Sequence, residues 1–155
     1  MTIKMSTELS EALHSDCARS FEAVLTRKNP DDFKALIDIT QDEASPAALR
    51  STALFILGGW GDTKAVEAIA SVLPKLSEAE QVSALDALGR LGTPAALQAI
   101  RDCVHAESAD VRKFAVHALG RIGSPEALAA LQEIEQRDPT AYVRKAADRY
   151  LHRTP

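Results

Sequence analysis

Residues 119–128 read LGRIGSPEAL, and this pattern recurs in register along the chain. It appears at 88–97 as LGRLGTPAAL and at 57–66 as LGGWGDTKAV, so that each copy begins 31 residues after the previous one. A fixed period in the range of 20 to 50 residues is typical of repeat proteins, in which each unit buries its apolar face against the next unit. The sequence therefore predicts a stack of similar units.

Each unit is expected to contain two helices. In the third copy, apolar residues recur at spacings of three and four and form one stripe of a helix, with Ser108 as its N-cap. These residues are Val111, Ala115, Ala118, Leu119 and Ile122. Ser124-Pro125 then starts the second helix, because serine caps orphan amides and proline fits the first helical position. Cap-proline pairs also occur at Asn29-Pro30, Ser45-Pro46, Thr93-Pro94 and Asp138-Pro139, and Ser77 with Glu80 has the spacing of a capping box.

These signals place helices along most of the chain and indicate no strand, since no window shows sustained alternation of apolar and polar residues. The expected helices lie at about 7–27, 30–40, 46–58, 63–76, 78–89, 94–106, 109–120, 125–137 and 139–152. Residues 1–44 are interpreted as N-terminal capping helices or a divergent first repeat. The repeat region at 45–155 contains three repeats at about 45–76, 77–107 and 108–137, followed by a C-terminal capping helix at 138–152.

The third copy, VRKFAVHALGRIGSPEALAAL at 111–131, resembles the short HEAT-like repeat of phycobilisome lyases and of many bacterial scaffold proteins. This resemblance implies an all-α fold, a right-handed α-solenoid of helix pairs whose second helices line a concave face that receives a protein partner. Two of the departures from the motif concern helix starts. Gln81 replaces the arginine near the start of the second unit, and Asp62-Thr63 replaces the cap-proline pair of the first unit.

The concave face follows from the helical wheel of the second helices. With Leu128, Leu131 and Ile134 directed inward, the opposite face carries small and mixed-charge residues, and shifts of 31 give the same face in the other units. The expected partner-binding residues are Glu67, Ser71, Lys75, Gln98, Arg101, Asp102, His105, Gln132, Glu133 and Gln136. Trp60 is expected to pack in the core, with a partly exposed binding anchor as the alternative.

The remaining polar and reactive residues are expected to be structural. Arg50, Arg112 and Arg144 recur at one position of successive units and are interpreted as exposed ion pairs that tie one unit to the next. The charges at Glu133, Glu135, Arg137 and Asp138 are interpreted as a solvated helix face. Cys17 and Cys103 lie on apolar stripes and are interpreted as small buried hydrophobic residues.

No metal or cofactor is expected. Deoxyhypusine hydroxylases resemble this architecture, and the resemblance to them implies a di-iron centre held by repeated His-Glu dipeptides. Here none of the four histidines is followed by glutamate: the dipeptides are His14-Ser15, His105-Ala106, His117-Ala118 and His152-Arg153. The sequence therefore departs from that site in every unit.

Composition excludes several other classes. The net charge of −4 and an aromatic content of 5% disfavour nucleic-acid binding, which relies on basic grooves and stacking side chains. No apolar run is long enough to cross a membrane and no secretory leader is apparent. With only two cysteines far apart, the expected location is the cytoplasm.

The resulting hypothesis is a non-enzymatic scaffold or adaptor that binds a protein or peptide partner on its concave face. Three alternatives stay open at this point. They are a bilin-lyase-like or other cofactor-handling subunit, a toxin-neutralising immunity-type partner, and a self-association module that uses the N-terminal helices.

Overall fold

The computed structural model of the protein describes residues 4–14 and 18–152, with side chains at all of these positions except 18–21. The only regular secondary structure in this part of the chain is helical, and it contains no strand. Its helices are α1 Thr7–His14, α2 Ala18–Arg27, α3 Pro30–Gln41, α4 Ala47–Trp60, α5 Ala65–Val72, α6 Glu78–Leu91, α7 Pro94–Asp102, α8 Ala109–Ile122, α9 Pro125–Arg137 and α10 Ala141–Leu151. Short 3₁₀ turns follow α5 at Leu73–Lys75 and α7 at Cys103–His105. The all-α prediction is confirmed.

The helices stack in two layers. In the first layer α4 packs on α6, α6 on α8, and α8 on α10. In the second layer α3 packs against α5 and α5 against α7, while α9 packs on α8 and α10. The core lies between the layers, and the recurring leucines Leu57, Leu88 and Leu119 are fully buried in it. Equivalent residues thus occupy equivalent surroundings, as an α-solenoid requires.

Two glycine positions recur in every repeat, and they have different roles. The first-layer helices were expected to end at residues 58, 89 and 120, but they continue to Trp60, Leu91 and Ile122. The glycine that follows leucine lies inside the helix, where a neighbouring helix approaches it closely. The glycine three residues later ends the helix in the left-handed conformation, with φ of 63° at Gly92 and 62° at Gly123.

Most helix starts follow the predicted caps. The side chains of Asn29, Thr93, Ser108 and Ser124 each accept a hydrogen bond from a backbone N–H of the first turn. Ser77 and Glu80 form the reciprocal capping box. These caps satisfy backbone amides that a helix leaves without partners at its N-terminus.

Other boundaries were predicted wrongly. The single helix expected at 7–27 is instead two helices, α1 and α2, which pack on each other. Ser45 does not cap α4: the N-cap residue is Pro46, and the Ser45 hydroxyl donates to Asp42. Asp138-Pro139 does not start α10, which begins at Ala141 with Thr140 as its N-cap. Cys17 lies outside the described residues.

Buried ion pairs join the repeats. Arg50 Nε donates to Glu80 at 2.7 Å, and Arg112 Nε donates to Asp138 at 2.8 Å. The expectation of exposed pairs is wrong, since the side chains of Glu80 and Asp138 are only 3% and 4% exposed. The same arginines also donate to backbone carbonyls of the preceding linker. Arg144 repeats this last contact by donating to the Asp138 carbonyl.

Trp60 is a core residue and offers no exposed anchor. It is 3% exposed, its Nε1 donates to the Val24 carbonyl at 2.9 Å, and its ring stacks on Phe33. A tryptophan that fills the contact between α4 and the helices before it leaves no ring surface for a partner. The alternative of a partly exposed anchor is therefore wrong.

Candidate binding groove

A cavity of about 760 Å³ lies between the C-terminal halves of α7 and α9. One wall carries Arg101, Asp102 and His105, and the other carries Glu133 and Arg137. Its remaining surface includes small or apolar side chains, among them Val104, Ala106, Ala130 and Ile134. We call this space the charged cavity, because its lining carries charged groups of both signs.

A second cavity of about 520 Å³ lies between α5 and α7. Its lining is mainly small and apolar, with Ala70, Leu73, Pro74, Ala95, Ala99 and Cys103 as the main contributors. We call it the alanine cavity. Gln98, Asp102 and Ala106 line both cavities, so the two spaces adjoin each other. Together they form one groove along the second-layer helices, which is named the groove below.

Half of the predicted partner-binding residues lie in this groove. Gln98, Arg101, Asp102, His105 and Glu133 all line the charged cavity. Lys75 lines a separate cavity of about 400 Å³, where its ammonium lies 3.5 Å from Glu43. The other four predicted residues are exposed but line none of these three cavities: Glu67, Ser71, Gln132 and Gln136.

The placement of α9 explains why the predicted face was incomplete. Ala127, Leu131 and Ile134 form the buried stripe of α9, whereas Leu128 is 38% exposed and not directed inward as expected. Adjacent residues on a helix are about 100° apart around its axis. Burial of Ala127 in place of Leu128 therefore means that α9 is rotated about its axis relative to the expected orientation. The side that faces α7 therefore carries Arg137 beside Glu133, and sequence reasoning missed Arg137.

The floor of the charged cavity is a fixed ion pair. Asp138 accepts hydrogen bonds from Arg112 and from the Thr140 backbone N–H at 2.8 Å each. Burial raises the pKa of Asp138, but these hydrogen bonds outweigh it and hold that pKa below its ordinary value. The hydrogen bond to Asp138 likewise raises the pKa of Arg112. Both groups stay ionised at neutral pH, so the pair anchors the linker before α10. The prediction that Asp138 belongs to a solvated face is wrong.

Cys103 contributes to the alanine cavity as an apolar group. Its side chain is partly buried, and burial followed by the nearby charge of Asp102 raises the pKa of the thiol. A thiol with a raised pKa stays protonated at neutral pH, whereas the thiolate is the nucleophilic form. Cys103 therefore lines the groove without offering a reactive sulfur.

A family model of HEAT repeats matches residues 69–151, which is more than half of the chain. The chain belongs to the HEAT-repeat family. The match covers α6 to α10 and the end of α5, so it includes the repeats that form the charged cavity. The HEAT-repeat assignment accounts for the two-layer stack of helix pairs described above.

Two solved structures show the same fold. Human deoxyhypusine hydroxylase in complex with glycerol has a TM-score of 0.69 and 31% sequence identity, over 77% of this chain and 42% of that chain. This HEAT-repeat chain thus spans about two fifths of that enzyme's length. The complex of CpcE and CpcF of phycocyanin lyase from Nostoc sp. PCC7120 has a TM-score of 0.67 and 21% identity, over 98% of this chain and 67% of that chain. No curated protein sequence matches the chain.

The side chains do not fit a metal centre of the kind that the enzyme resemblance implies. A di-iron site needs several carboxylate and imidazole ligands that converge on one point. Across 4–14 and 18–152, no three His, Cys, Asp or Glu side chains lie close enough together to hold a metal ion.

The described helices also show no membrane span. None of them combines the length and the apolar character that crossing a bilayer requires. The longest, α4, α6 and α8, have 14 residues each and carry polar residues on one side. Their apolar faces are used in packing the two layers.

Proposed function

We propose that this HEAT-repeat chain is a non-enzymatic scaffold or adaptor that holds a segment of a protein partner in the groove. The observation that carries the proposal is the groove itself, in which a mainly apolar cavity adjoins a cavity lined by charges of both signs. Protein interfaces commonly combine an apolar centre with charged groups that fix orientation and exclude wrong partners. HEAT repeats commonly serve this role, which supports the proposal.

Two titratable groups of the lining are unsuited to acid–base catalysis. The Cys103 thiol is protonated at neutral pH, and the carboxylate of Asp138 is committed to its buried pair with Arg112. An acid or base catalyst needs a titratable group that is free to exchange a proton near neutral pH. Cys103 and Asp138 do not meet that condition.

The test is site-specific photo-crosslinking in the organism that encodes the protein. A photoreactive amino acid replaces Gln98 or Glu133, which line the groove, and Lys145 on α10 serves as the exposed control. We expect discrete adducts with one or a few proteins from the two groove positions and none from the control. Adducts from Lys145 alone, or equal adducts from all three positions, would remove the groove as the binding site. Adducts that contain only a second copy of this chain would favour self-association.

A second candidate function is a cofactor-handling subunit of the bilin-lyase type. The charged cavity, at about 760 Å³, lies within the size range of small-molecule pockets, and arginines stand on both of its walls. The similarity to the phycocyanin lyase complex favours this candidate through the fold. Titration with an open-chain tetrapyrrole distinguishes the two. Saturable absorbance changes that Arg101→Ala weakens would support pigment binding, and an unchanged spectrum would exclude it.

A further inference from the structure

A group of cations lies on the outer face of the first layer, away from the groove. Lys113, His117 and Arg121 follow one another at spacings of four residues, so they share one face of α8. The buried residues of α8, among them Ala115 and Leu119, occupy the opposite face. The groove belongs to the second-layer helices α5, α7 and α9, so the two surfaces are separate.

The helices α8 and α10 carry an excess of positive charge. Together they contain six arginines and lysines and two aspartates. Two of the cations have carboxylate partners on other elements, because Arg112 pairs with Asp138 at 2.8 Å and Arg121 with Asp86 at 3.3 Å. Asp86 is also shared with Arg90 of its own helix. Since the whole chain has a net charge of −4, positive charge is concentrated in these two helices.

The two aspartates of α8 and α10 do not pair with the remaining cations. Asp110 accepts a hydrogen bond from the Tyr142 hydroxyl at 3.1 Å, and Asp148 lies 3.5 Å from the His152 imidazole. The other four cations of these helices form no ion pair with the described parts of the chain: Lys113, Arg144, Lys145 and Arg149. Four cations against two carboxylates leave a net positive surface.

The ring of His117 shows where this positive charge is concentrated. Burial lowers the pKa of this ring below 6.5, and three nearby cations lower it further. They are Lys113, Arg149 and Arg121, and no carboxylate of the described residues opposes them at the ring. We call the surface formed by these three residues around His117 the cationic surface. Lys145, also on α10, does not act on the ring and lies outside this surface.

Aromatic rings hold one of these cations in place. The ammonium of Lys113 lies 5.8 Å from the centre of the Phe114 ring and 6.0 Å from the centre of the Tyr142 ring. Contacts of a cation with ring faces are attractive, so they restrict the lysine side chain. Restricting it before binding lowers the entropy cost of binding. Tyr142 is 47% exposed, so a partner can contact this ring as well.

Charge complementarity selects an acidic occupant, and the extent of the surface limits its length. Lys113 and Arg121 are eight residues apart, which is about 12 Å along the axis of α8. About four residues of an extended chain cover that distance. A long polyanion such as nucleic acid would reach beyond the surface onto a protein whose overall charge is negative, which opposes its binding. The surface therefore fits a short acidic segment of a protein.

We propose that the cationic surface is a second docking site, which binds a short segment of a protein partner that contains several Asp or Glu residues. The carboxylates of this segment lie against Lys113, Arg121 and Arg149. Because the groove lies on the other layer of helices, one chain can hold two partners at the same time. This inference goes beyond the proposed function and does not depend on the groove.

The test is an NMR titration of the full-length protein with an end-blocked nine-residue peptide that has Asp at its four even positions and Ser elsewhere. A matched peptide has Asn in place of each Asp. We expect the acidic peptide to raise the titration midpoint of His117, because its carboxylates offset the three cations that lower it. The Asn peptide should leave that midpoint unchanged. A midpoint that millimolar acidic peptide does not raise would overturn the proposal.

Arg149→Glu should weaken the acidic peptide by about tenfold, because it replaces attraction by repulsion within the surface. Lys64→Glu is the matched control, since Lys64 is an exposed residue before α5 that lines neither part of the groove and does not act on His117. It changes the net charge equally and should leave the affinity within about twofold. Circular dichroism verifies that both variants fold. An equal loss of affinity in both variants overturns the proposal, since it would reflect overall charge alone.

Two further measurements test other occupants. A five-nucleotide DNA strand with four phosphates matches the charge of the peptide, and we expect it to bind less tightly; tighter binding would show that a protein segment is the wrong choice. Sedimentation of the protein alone should give a mass that Arg149→Glu does not change. If this variant abolishes self-association, the occupant is a second copy and the proposal is wrong. Photo-adducts at Gln98 and Glu133 are independent of all these outcomes, so failure here leaves groove binding intact.

Discussion

Gly89 of α6 lies against the backbone of Ala118 in α8, so closely that a β-carbon on Gly89 would stand 2.9 Å from the Ala118 Cα. One repeat earlier, a β-carbon on Gly58 would stand 2.7 Å from the Ala87 Cα. The first-layer helices therefore approach backbone to backbone at this glycine. This contact explains why glycine follows leucine in the first two copies of the motif, whereas in the third copy the ring of Tyr150 packs against Gly120.

Gly89→Ala is expected to lower the free energy of unfolding by about 1–3 kcal/mol, the usual range for overpacking a tight contact. The loss should appear although alanine has the better helix propensity by about 1 kcal/mol, because the clash is with backbone and cannot be relieved by a side-chain rotation. Urea denaturation measures this loss of unfolding free energy. Gly92→Asn is the control, since nothing lies within 4 Å of its β-carbon position and asparagine tolerates positive φ. A Gly89→Ala protein as stable as the parent would show that the close approach is not required.

Two leucines of the third repeat test the register. Leu119 is fully buried between the layers, whereas Leu128 is 38% exposed on α9. Leu119→Ala should cost about 2–5 kcal/mol of unfolding free energy through lost burial and a cavity. Leu128→Ala, the same substitution nine positions later, should cost less than about 1 kcal/mol. Thermal or urea denaturation of the two variants measures both losses of unfolding free energy. Equal losses would contradict the observed orientation of α9.

The repeat period, the paired helices and most of the caps could be predicted because they rest on local signals. Leucines 57, 88 and 119 recur at a constant interval, and the structure buries all three. Ser124 caps α9 as its neighbouring proline suggested. Each of these features depends on a few adjacent residues, so a single sequence contains enough information to place it.

The orientation of the second-layer helices could not be predicted in the same way. Sequence reasoning directed Leu128 inward because leucine is more apolar than alanine, but the structure buries Ala127 instead. That choice depends on how closely α9 approaches its neighbours, which is a tertiary property. The charged cavity was therefore predicted in part, with Arg101, Asp102 and His105 included and Arg137 missed.

The burial of the repeat arginines was also beyond a sequence prediction. Arg112 finds Asp138 in a linker 26 residues later, and nothing in the local pattern of Asp138-Pro139 distinguishes an ion-pair partner from a helix cap. Glu80 combines two roles, since it closes the capping box with Ser77 and accepts from Arg50 of the preceding repeat. Such long-range pairings become visible only when the repeats are stacked.

Arg112→Ala and Arg137→Ala form a matched pair with opposite expectations. Removing Arg112 leaves the carboxylate of Asp138 buried without its partner, which should cost about 3–5 kcal/mol of unfolding free energy. Removing Arg137 breaks an exposed pair with Glu133 and should cost about 0–1 kcal/mol. Urea denaturation at neutral pH compares the two variants. A loss of under 1 kcal/mol for Arg112→Ala would mean that the buried pair does not hold the repeats together.

The capping-box glutamate predicts a loss of stability in acid. Burial raises the pKa of Glu80, but hydrogen bonds from Arg50 and Ser77 outweigh it and bring that pKa below its ordinary 4.5. A carboxyl group whose pKa is lowered by folding stabilises the protein above its unfolded pKa, and this contribution disappears as the pH falls through the folded pKa. The free energy of unfolding should therefore decline as the pH drops below about 4.5.

Glu80→Gln is expected to make the free energy of unfolding less dependent on pH in acid. It should also lower that free energy at neutral pH. Measured by urea denaturation between pH 3 and 7, the variant should lose stability less steeply than the parent below about pH 4.5. Glu78→Gln is the control, because Glu78 is an exposed residue of the same helix turn. Parallel pH profiles for the parent and Glu80→Gln would contradict the ion pair.

His117 gives the opposite side of the molecule its own pH dependence. It joins α8 to α10, with its Nδ1 3.0 Å from the Tyr150 hydroxyl and its ring edge-on to Phe114 and Tyr150. Burial, followed by the positive charges of Lys113, Arg149 and Arg121, lowers the pKa of His117 below 6.5. As the pH falls, His117 is therefore protonated at a higher pH in the unfolded chain than in the folded protein. Stability from this group is complete above about pH 6.5 and declines as the pH drops toward the folded pKa.

Lys113→Ala should raise the pKa of His117, because it removes the largest of the three charge repulsions that act on the ring. A titration of the histidine ring protons by NMR measures the midpoint directly, and His117→Gln assigns the resonance. Lys145→Ala is the control, since it removes an exposed lysine of α10 that does not contribute to the lowered pKa. A parent midpoint at or above 6.5, or equal shifts in the two lysine variants, would show that the clustered charges do not set the protonation of His117.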